Sequence, residues 1–363
     1  MVGCSIDSLA EPDHARNIMI GGRMGGHGNE TSRSAESVIA AQRALLLTEF
    51  SKHVSQGDTY AIVDFPDYGN VGDSAIYLGM LSILRELTGR DPSYVASLAR
   101  FDADALRRAA PTGPIFLHGG GNFGDIWPKH QHFRESIAKT FPDRRLIQAP
   151  QSIHFQDDVA IRRCAETFGA HPDFHIMVRD RPSVEFVQER LGLTASLVPD
   201  TAFGLGPLQR PAAPTRDIVM LMRTDKEKVA LDETLLKNLP DAREADWRKE
   251  SEKWRTWSRR YANVRALLMG GVVKSRRQVL VSKQLADMRF DRGARILSDG
   301  RKVITDRLHA HIMCTLHNIP HVYLDNSYGK IGRYGAVWTN GLGIARQATS
   351  AQQAIELLHE VGN

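Results

Sequence analysis

PIFLHGGG, residues 114–121, decides the fold. An apolar run of strand length stops on three consecutive glycines. An unbroken apolar run suits a strand buried on both faces, as in a parallel sheet. Three glycines are costly to order unless the backbone must turn sharply or approach a ligand.

The same grammar recurs on either side. TYAIVDF (59–65) is a short apolar strand, followed by glycines 69 and 72 and an amphipathic helix over Asp73–Leu87. RLIQAPQS (145–152) and HIMVRDR (175–181) read as further strands. Asp158–Phe168 and Pro182–Arg190 read as helices, the second with Pro in its first turn. SLVPDTAF (196–203) resembles a last strand and turn, and Ala35–His53 carries a helical period with Ser34 as its cap. Strand, glycine loop and helix in repetition predict a parallel sheet covered by helices. LGPLQRPAAPTRD (205–217) is the proline-rich junction, after which DIVMLMR (217–223) restarts the strand pattern. Residues 225–260, highly charged and holding Trp247, Trp254 and Trp257, read as one or two surface helices. RKVITDRLHAHIMCTLHNIP (301–320) reads as strand, turn and long helix, with Asp306 as its cap. HVYLDN (321–326) is the next strand, and Ser350–His359 is an amphipathic closing helix.

The plan is an α/β chain with a flexible arm over 1–34, one half over 35–208, a second over 216–345 and a closing segment over 346–363. Ligands in such open sheets sit outside the carboxyl ends of the strands, so the cleft between the halves is the expected site.

Composition bounds the chemistry. The chain has 363 residues, 42% hydrophobic and 25% charged, with a formal net charge of +5. That length suits two domains. The basic excess suits anionic substrates or an anionic membrane face. No aromatic-interleaved basic strip of the kind that binds single-stranded nucleic acid is present. Cys4, Cys164 and Cys314 are far apart and suggest neither metal nor disulfide, so a reducing cytoplasm is expected. No signal pattern opens the chain, and no apolar run reaches the ~20 residues of a membrane span. The longest, Ala266–Val273, is flanked by Arg265 and Lys274.

Several stretches carry candidate chemistry. In FPDYGNVGDSAIYLG (65–79), a helix starting at Asp73 offers free N–H groups to an anion, although an ordinary capped turn would look the same. In HGGGNFGD (118–125), Gly119, Gly120, Gly121 and Asn122 offer backbone N–H groups and close approach. His118 is equally readable as a satisfied histidine at the strand end. Arg179 in VRDRPS (178–183) and Arg223 in LMRTDKE (221–227) end strands, where a guanidinium holds a carboxylate or phosphate through a fork. Surface pairing with Asp180 is the plainer reading for Arg179. In ITDRLHAHIMCTLHNIP (304–320), Arg307 and His309 occupy the first turn of a helix, where the dipole disfavours cations unless an anion binds between them. His309 and His311 do not share a helix face, which argues against a zinc pair. Lys330 and Arg333 lie in the glycine-rich DNSYGKIGRYG (325–335). No G-x-S-x-G elbow, P-loop or H-E-x-x-H is present. Many anion-binding parts without a nucleophile favour group transfer from a charged donor.

GNVGDSAI, HGGGNFGD, VRDRPS with PDTAF, TDRLHAHI and NSYGKI, in that order over about 59–340, resemble the polysaccharide pyruvyltransferase family. The resemblance implies two facing Rossmann-like domains, similar to the GT-B glycosyltransferase architecture, with 216–345 binding the donor. It implies transfer of the enolpyruvyl group of phosphoenolpyruvate to a sugar of a bacterial exopolysaccharide repeat unit, as a pyruvate ketal, with phosphate released and no cofactor or metal. The family's Arg-Leu-His motif matches Arg307, Leu308 and His309, its lysine matches Lys330, and its central arginine matches Arg179. Arg223 is a looser match.

On this reading Arg307 and Lys330, helped by Arg179 or Arg223, hold the donor. His309 protonates C3, and Asp73 or Asp125 takes a hydroxyl proton. An oligosaccharide acceptor is expected, and on a lipid-linked acceptor the basic, Trp-bearing segment would touch the inner membrane face. Nucleic acid is not an expected partner. The rival is a glycosyltransferase of the same architecture using a nucleotide sugar.

Overall fold

In this computed structural model, residues 32–223, 239, 241–248, 250–325 and 329–362 are described, the side chain of Lys330 excepted. The first sheet contains β1 (Ala61–Val63), β2 (Tyr94–Ala96), β3 (Ile115–Leu117), β4 (Gly120–Gly124), β5 (Leu146–His154), β6 (Phe174–Val178) and β7 (Ala195–Leu197). Its order is β2-β1-β3-β5-β6-β7, with β4 against the far end of β5, and every pairing is parallel. Ala61, Ile62 and Val63 are fully buried, as an unbroken apolar run between two helical layers must be.

The second sheet contains β8 (Arg216–Leu221), β9 (Arg243–Ala245), β10 (Gly300–Thr305), β11 (His321–Leu324) and β12 (Ala345–Ala348), in the order β12-β11-β10-β8-β9, again parallel. In each sheet the strand order reverses once, between β1 and β3 and between β8 and β10. Each reversal opens a crevice at the carboxyl ends of the strands. The Rossmann-like two-sheet architecture expected from the sequence is the one observed.

The helices that matter for the site are α1 (Ala35–Phe50), α2 (Val71–Thr88), α3 (Ala103–Ala109), α4 (Pro128–Thr140), α5 (Asp158–Gly169), α6 (Arg181–Leu191), α7 (Glu252–Leu268), α8 (Lys274–Ser298), α9 (Leu308–Leu316), α10 (Lys330–Tyr334) and α11 (Ala351–Glu360). Ser34 caps α1 by accepting from Ser37 N, as its position predicts. Arg33 is held in a bridge to Leu342, and the rest of the expected arm, through residue 31, lies outside the described residues. From Ser32 onward the chain is one compact unit. A single core joins Ile62 and Phe116 of the first sheet region to Leu308, Tyr323 and Tyr334 of the second.

Two close approaches fix α2. A Cβ on Gly79 would fall 1.9 Å from the carbonyl oxygen of Thr201, so only glycine lets the helix lie against that turn. A Cβ on Gly293 of α8 would fall 2.2 Å from Val71 Cγ1, where α8 crosses the start of α2.

Four local readings need correction. The cap of α2 is Asn70, which accepts from Gly72 N, and Asp73 lies inside the first turn. The glycines of HGGGNFGD do not form a plain loop, because residues 120–124 pair with β5 as a short strand. Asp306 does not cap α9, because Arg307 occupies that position and Asp306 accepts from Arg223 N. Trp247 is not on a surface helix: it is 1% exposed, packed with Val219, Leu297 and Met313, and follows a strand. Residues 224–238, which share its charged stretch, lie outside the described residues.

Candidate functional site

The crevices of the two sheets meet in one cavity of about 420 Å³. Its wall is built from strand ends. The loop after β1 supplies Gly69 and Asn70, the first turn of α2 supplies Asp73, the turn after β3 supplies Gly119, β4 supplies Gly121 and Asn122, and β6 leads into Arg179. From the second sheet, β8 leads into Arg223, β9 into Trp247 and Arg248, and β10 into Arg307, Leu308 and His309. Gly120 is not part of this wall. Its φ of +122° makes it a backbone requirement of the turn instead. Lys330 opens α10, and its side chain lies outside the described residues.

The cations are held from behind. Arg307 is 5% exposed. Its Nη2 donates to Met222 O at 3.1 Å and lies 3.3 Å from Asp246 Oδ1. Arg179 is 2% exposed and pairs with Asp200 through Nη1, while its Nε donates to Ser152 Oγ at 2.9 Å. The surface pairing of Arg179 with Asp180 does not occur, because Asp180 caps α6 and accepts from Ser152 Oγ.

His309 Nε2 lies 3.5 Å from Asp200 Oδ2, so one buried carboxylate stands behind both Arg179 and His309. Burial alone would raise the pKa of Asp200, but His309 and Arg179 hold it well below the usual carboxylate range. On its other side the imidazole rests on backbone: a Cβ at Gly72 would fall 2.5 Å from His309 Cγ and Nδ1. The glycine of the GNVGD loop is therefore the floor beneath this histidine, a role that no local pattern discloses.

The far wall is a polar network. Asp64, just after β1, has φ +64°, a left-handed conformation that is uncommon outside glycine and is best tolerated by Asp and Asn. Its Oδ1 is 2.8 Å from His130 Nδ1, and His130 lines the cavity beside Tyr68 and Trp127. Arg134, 1% exposed, donates to Gln148 Oε1 at 2.7 Å and to Asn122 Oδ1 at 2.8 Å. Asn122 is thus fixed by protein on its side-chain oxygen, which also accepts from Gln151 at 2.9 Å. No local motif discloses His130 and Asp64, because their partnership spans 66 positions and α4 buries the polar Gln131, Arg134 and Glu135 where an apolar stripe would be expected.

Two candidates resolve otherwise. Asp125 takes the backbone N–H groups of Gln156 and Asp157 and is not among the cavity residues. His118 is buried and is not among the cavity residues; its Nε2 donates to Asp73 O at 3.2 Å, its Nδ1 is buried without a hydrogen-bond partner, and burial lowers its pKa, so the reading of a fully satisfied histidine holds for one ring nitrogen only. Asp73 does reach the cavity, with Oδ2 accepting from Asn70 Nδ2 at 2.8 Å. Asp306, 2% exposed, has its carboxyl raised to about 6 by burial, partly offset by Arg223 N–H and Arg307.

Fold and site together define a class: a two-sheet Rossmann-like α/β transferase with a cation-lined cleft. The chain belongs to the polysaccharide pyruvyl transferase family, whose family model matches residues 70–328. It is 32% identical over 345 residues to "Pyruvyl transferase 1" of Schizosaccharomyces pombe, covering 91% of this chain and 82% of that protein. It is 31% identical over 286 residues to "Putative pyruvyl transferase EpsO" of Bacillus subtilis, covering 77% of this chain and 85% of that one. Among solved structures, an uncharacterized protein from Klebsiella pneumoniae subsp. pneumoniae NTUH-K2044 superposes with a TM-score of 0.51 at 16% identity, over 86% of this chain and 99% of that chain, which speaks to the fold alone. Membership supports pyruvyl transfer onto a polysaccharide acceptor. No helix among the described residues is long and apolar enough to cross a membrane.

Proposed function

We propose that the cavity binds phosphoenolpyruvate and transfers its three-carbon unit to a sugar as a pyruvate ketal, releasing phosphate. The observation that carries this reading is the convergence of Arg179, Arg223, Arg307 and His309, from the strand ends of both sheets, on glycine-walled backbone. A carboxylate and a phosphate on a three-carbon frame need several fixed cations and close backbone approach.

In the proposed reaction His309 gives its proton to C3 of the enol, and C2 becomes an oxocarbenium centre. A sugar hydroxyl adds to C2, the C2–O bond to phosphate breaks, and a second hydroxyl closes the ring. Each hydroxyl loses one proton. Asp73 and His130, which both line the cavity, would take them, His130 through Nε2 because Nδ1 is held by Asp64. Asp200 stabilises the histidine while it is protonated. Arg307 and Arg223 neutralise the departing phosphate, which asks nothing of a cofactor. Lys330 belongs to the proposal through the family motif alone. The expected setting is cytoplasmic.

Incubation with phosphoenolpyruvate and candidate oligosaccharides tests this. Phosphate release matched by a pyruvate ketal mass gain on the sugar is expected. Stabilisation by a nucleotide sugar, with none by phosphoenolpyruvate, would favour a glycosyltransferase instead.

A further inference from the structure

We propose that α7 and the turn after it form a docking face for an anionic lipid bilayer. The helix is built inside out for an ordinary surface helix. It buries the small Ser258, Ala262 and Ala266 against the body. Its large apolar residues face solvent: Trp257 is 54% exposed, Tyr261 39%, Val264 57% and Leu268 83%. Their spacing keeps these four within about 60° of helix arc, one continuous stripe. Trp257 and Tyr261 stack along it at 5.4 Å.

The stripe continues into an ordered turn. Gly270 takes φ +80°, and Arg277 clamps the turn by donating to Gly271 O at 2.8 Å and Val272 O at 3.1 Å. Held this way, Met269, Val272 and Val273 point into solvent at 57%, 76% and 65% exposure. An apolar projection of this size on a folded body marks an interaction surface.

Charge says what covers it. From Lys253 to Ala286 the chain holds nine Lys and Arg and no Asp or Glu. Lys253, Arg260 and Arg265 flank the stripe on α7, and Lys274 follows the turn. Of the nine, Arg259 and Arg276 are paired with Asp67 and Asp91 of the body and Arg255 and Lys283 with Glu252 and Asp287, so the positive charge beside the stripe is that of Lys253, Arg260, Arg265 and Lys274. A second copy docked on this face would bring like charges together. An anionic bilayer meets both demands at once, with the stripe in the acyl boundary and the cations among the headgroups. A second cavity, lined by Arg100, Arg255, Arg259 and Arg260, shares Asp67 with the loop that carries Tyr68 of the main cavity. Docking through α7 would bring this second cavity to the membrane surface, and on the pyruvyl-transfer reading, on which this last step rests, that is where a lipid-carried sugar would be presented.

The face is tested on the full chain by co-sedimentation with phosphatidylcholine vesicles, with and without phosphatidylglycerol. Binding that requires phosphatidylglycerol and weakens with added salt is expected. The double variant Leu268→Glu, Val272→Glu should lower partitioning at least about ten-fold, with unchanged melting and unchanged transfer to a soluble acceptor. Arg260→Glu with Arg265→Glu should do the same to partitioning through charge. No vesicle binding by the native chain, or equal binding by both variants, would overturn the proposal. So would a concentration-dependent dimer, or a complex with an acidic protein, that the Leu268→Glu, Val272→Glu variant loses while vesicle binding is absent. Vesicle binding is read without substrate, so the donor assignment can fail without touching this result.

Discussion

Gly72 and His309 share one small volume, and each constrains what the other can be. A methyl group at 72 would sit 2.5 Å from the imidazole carbon and Nδ1, so Gly72→Ala must move the ring. A misplacement near 1 Å costs about a hundred-fold in rate. The expected result for Gly72→Ala is a kcat lowered by about that factor with the melting temperature little changed, measured by phosphate release. His309→Ala should lower kcat by about a hundred- to ten-thousand-fold and leave the protein folded. An unchanged turnover number would remove His309 from the chemistry. Asp306 gives a stability test at the same strand end. Its carboxyl is raised to about 6 by burial, so its contribution is fully present below the unfolded value near 4 and is lost as pH rises through 6. Asp306→Asn keeps an oxygen for Arg223 N–H and removes the buried charge. The variant should gain up to about 3 kcal/mol over the native chain between pH 4 and pH 8, read from denaturant midpoints.

Elements are set by packing that sequence patterns reach only in part. The α2 helix depends on Gly79, whose Cβ would fall 1.9 Å from the Thr201 carbonyl oxygen. Gly79→Ala has to push the helix off that turn, and a loss of about 1–3 kcal/mol is expected by calorimetry or denaturant unfolding. The apolar strands and helices of the first sheet were legible because their periods match their burial: α5 and α6 differ by a residue or so from the segments read as 158–168 and 182–190. β4 was not legible, since glycines have no strand preference and pair here only because β5 offers its edge. Neither was α4, which buries Ile137 and Ala138 in the apolar cluster but beside them Gln131, Arg134 and Glu135, with Arg134 satisfied by Gln148 and Asn122 and Glu135 by Arg163 across the fold. The 25-residue α8 is only partly of this kind: it buries Val279, Leu285, Ala286 and Leu297 in apolar clusters, while its buried Arg289 meets Glu250 and Pro66 O. At the site, Arg307 and His309 were legible as basic residues in the first turn of a helix, Arg179 as an arginine at a strand end, and Leu308 through the family motif alone. His130, Asp64 and the floor at Gly72 were not, because each is defined by a partner far away in the chain.

For the whole molecule, the consequence of building one cavity from two sheets is that a ligand must be bound by both. Arg179 belongs to the first sheet and Arg223, Arg307 and His309 to the second, and all line the same space. A donor bridging them binds the folded chain and not the unfolded one, so it stabilises the fold by mass action. At a hundred times its dissociation constant that is about 2.7 kcal/mol. Phosphoenolpyruvate should therefore raise the melting temperature in a concentration-dependent way, and Arg307→Ala should abolish the rise although it touches only the second sheet. His130→Ala should behave differently. Its imidazole stands on the wall with Trp127 and Tyr68, away from the arginine group in the chain and tied to Asp64. The expected outcome is an intact phosphoenolpyruvate shift with transfer to the sugar lowered by at least about ten-fold, which separates holding the donor from activating the acceptor. A His130→Ala protein that loses the shift would place His130 with the donor and leave Asp73 as the group for the hydroxyl protons.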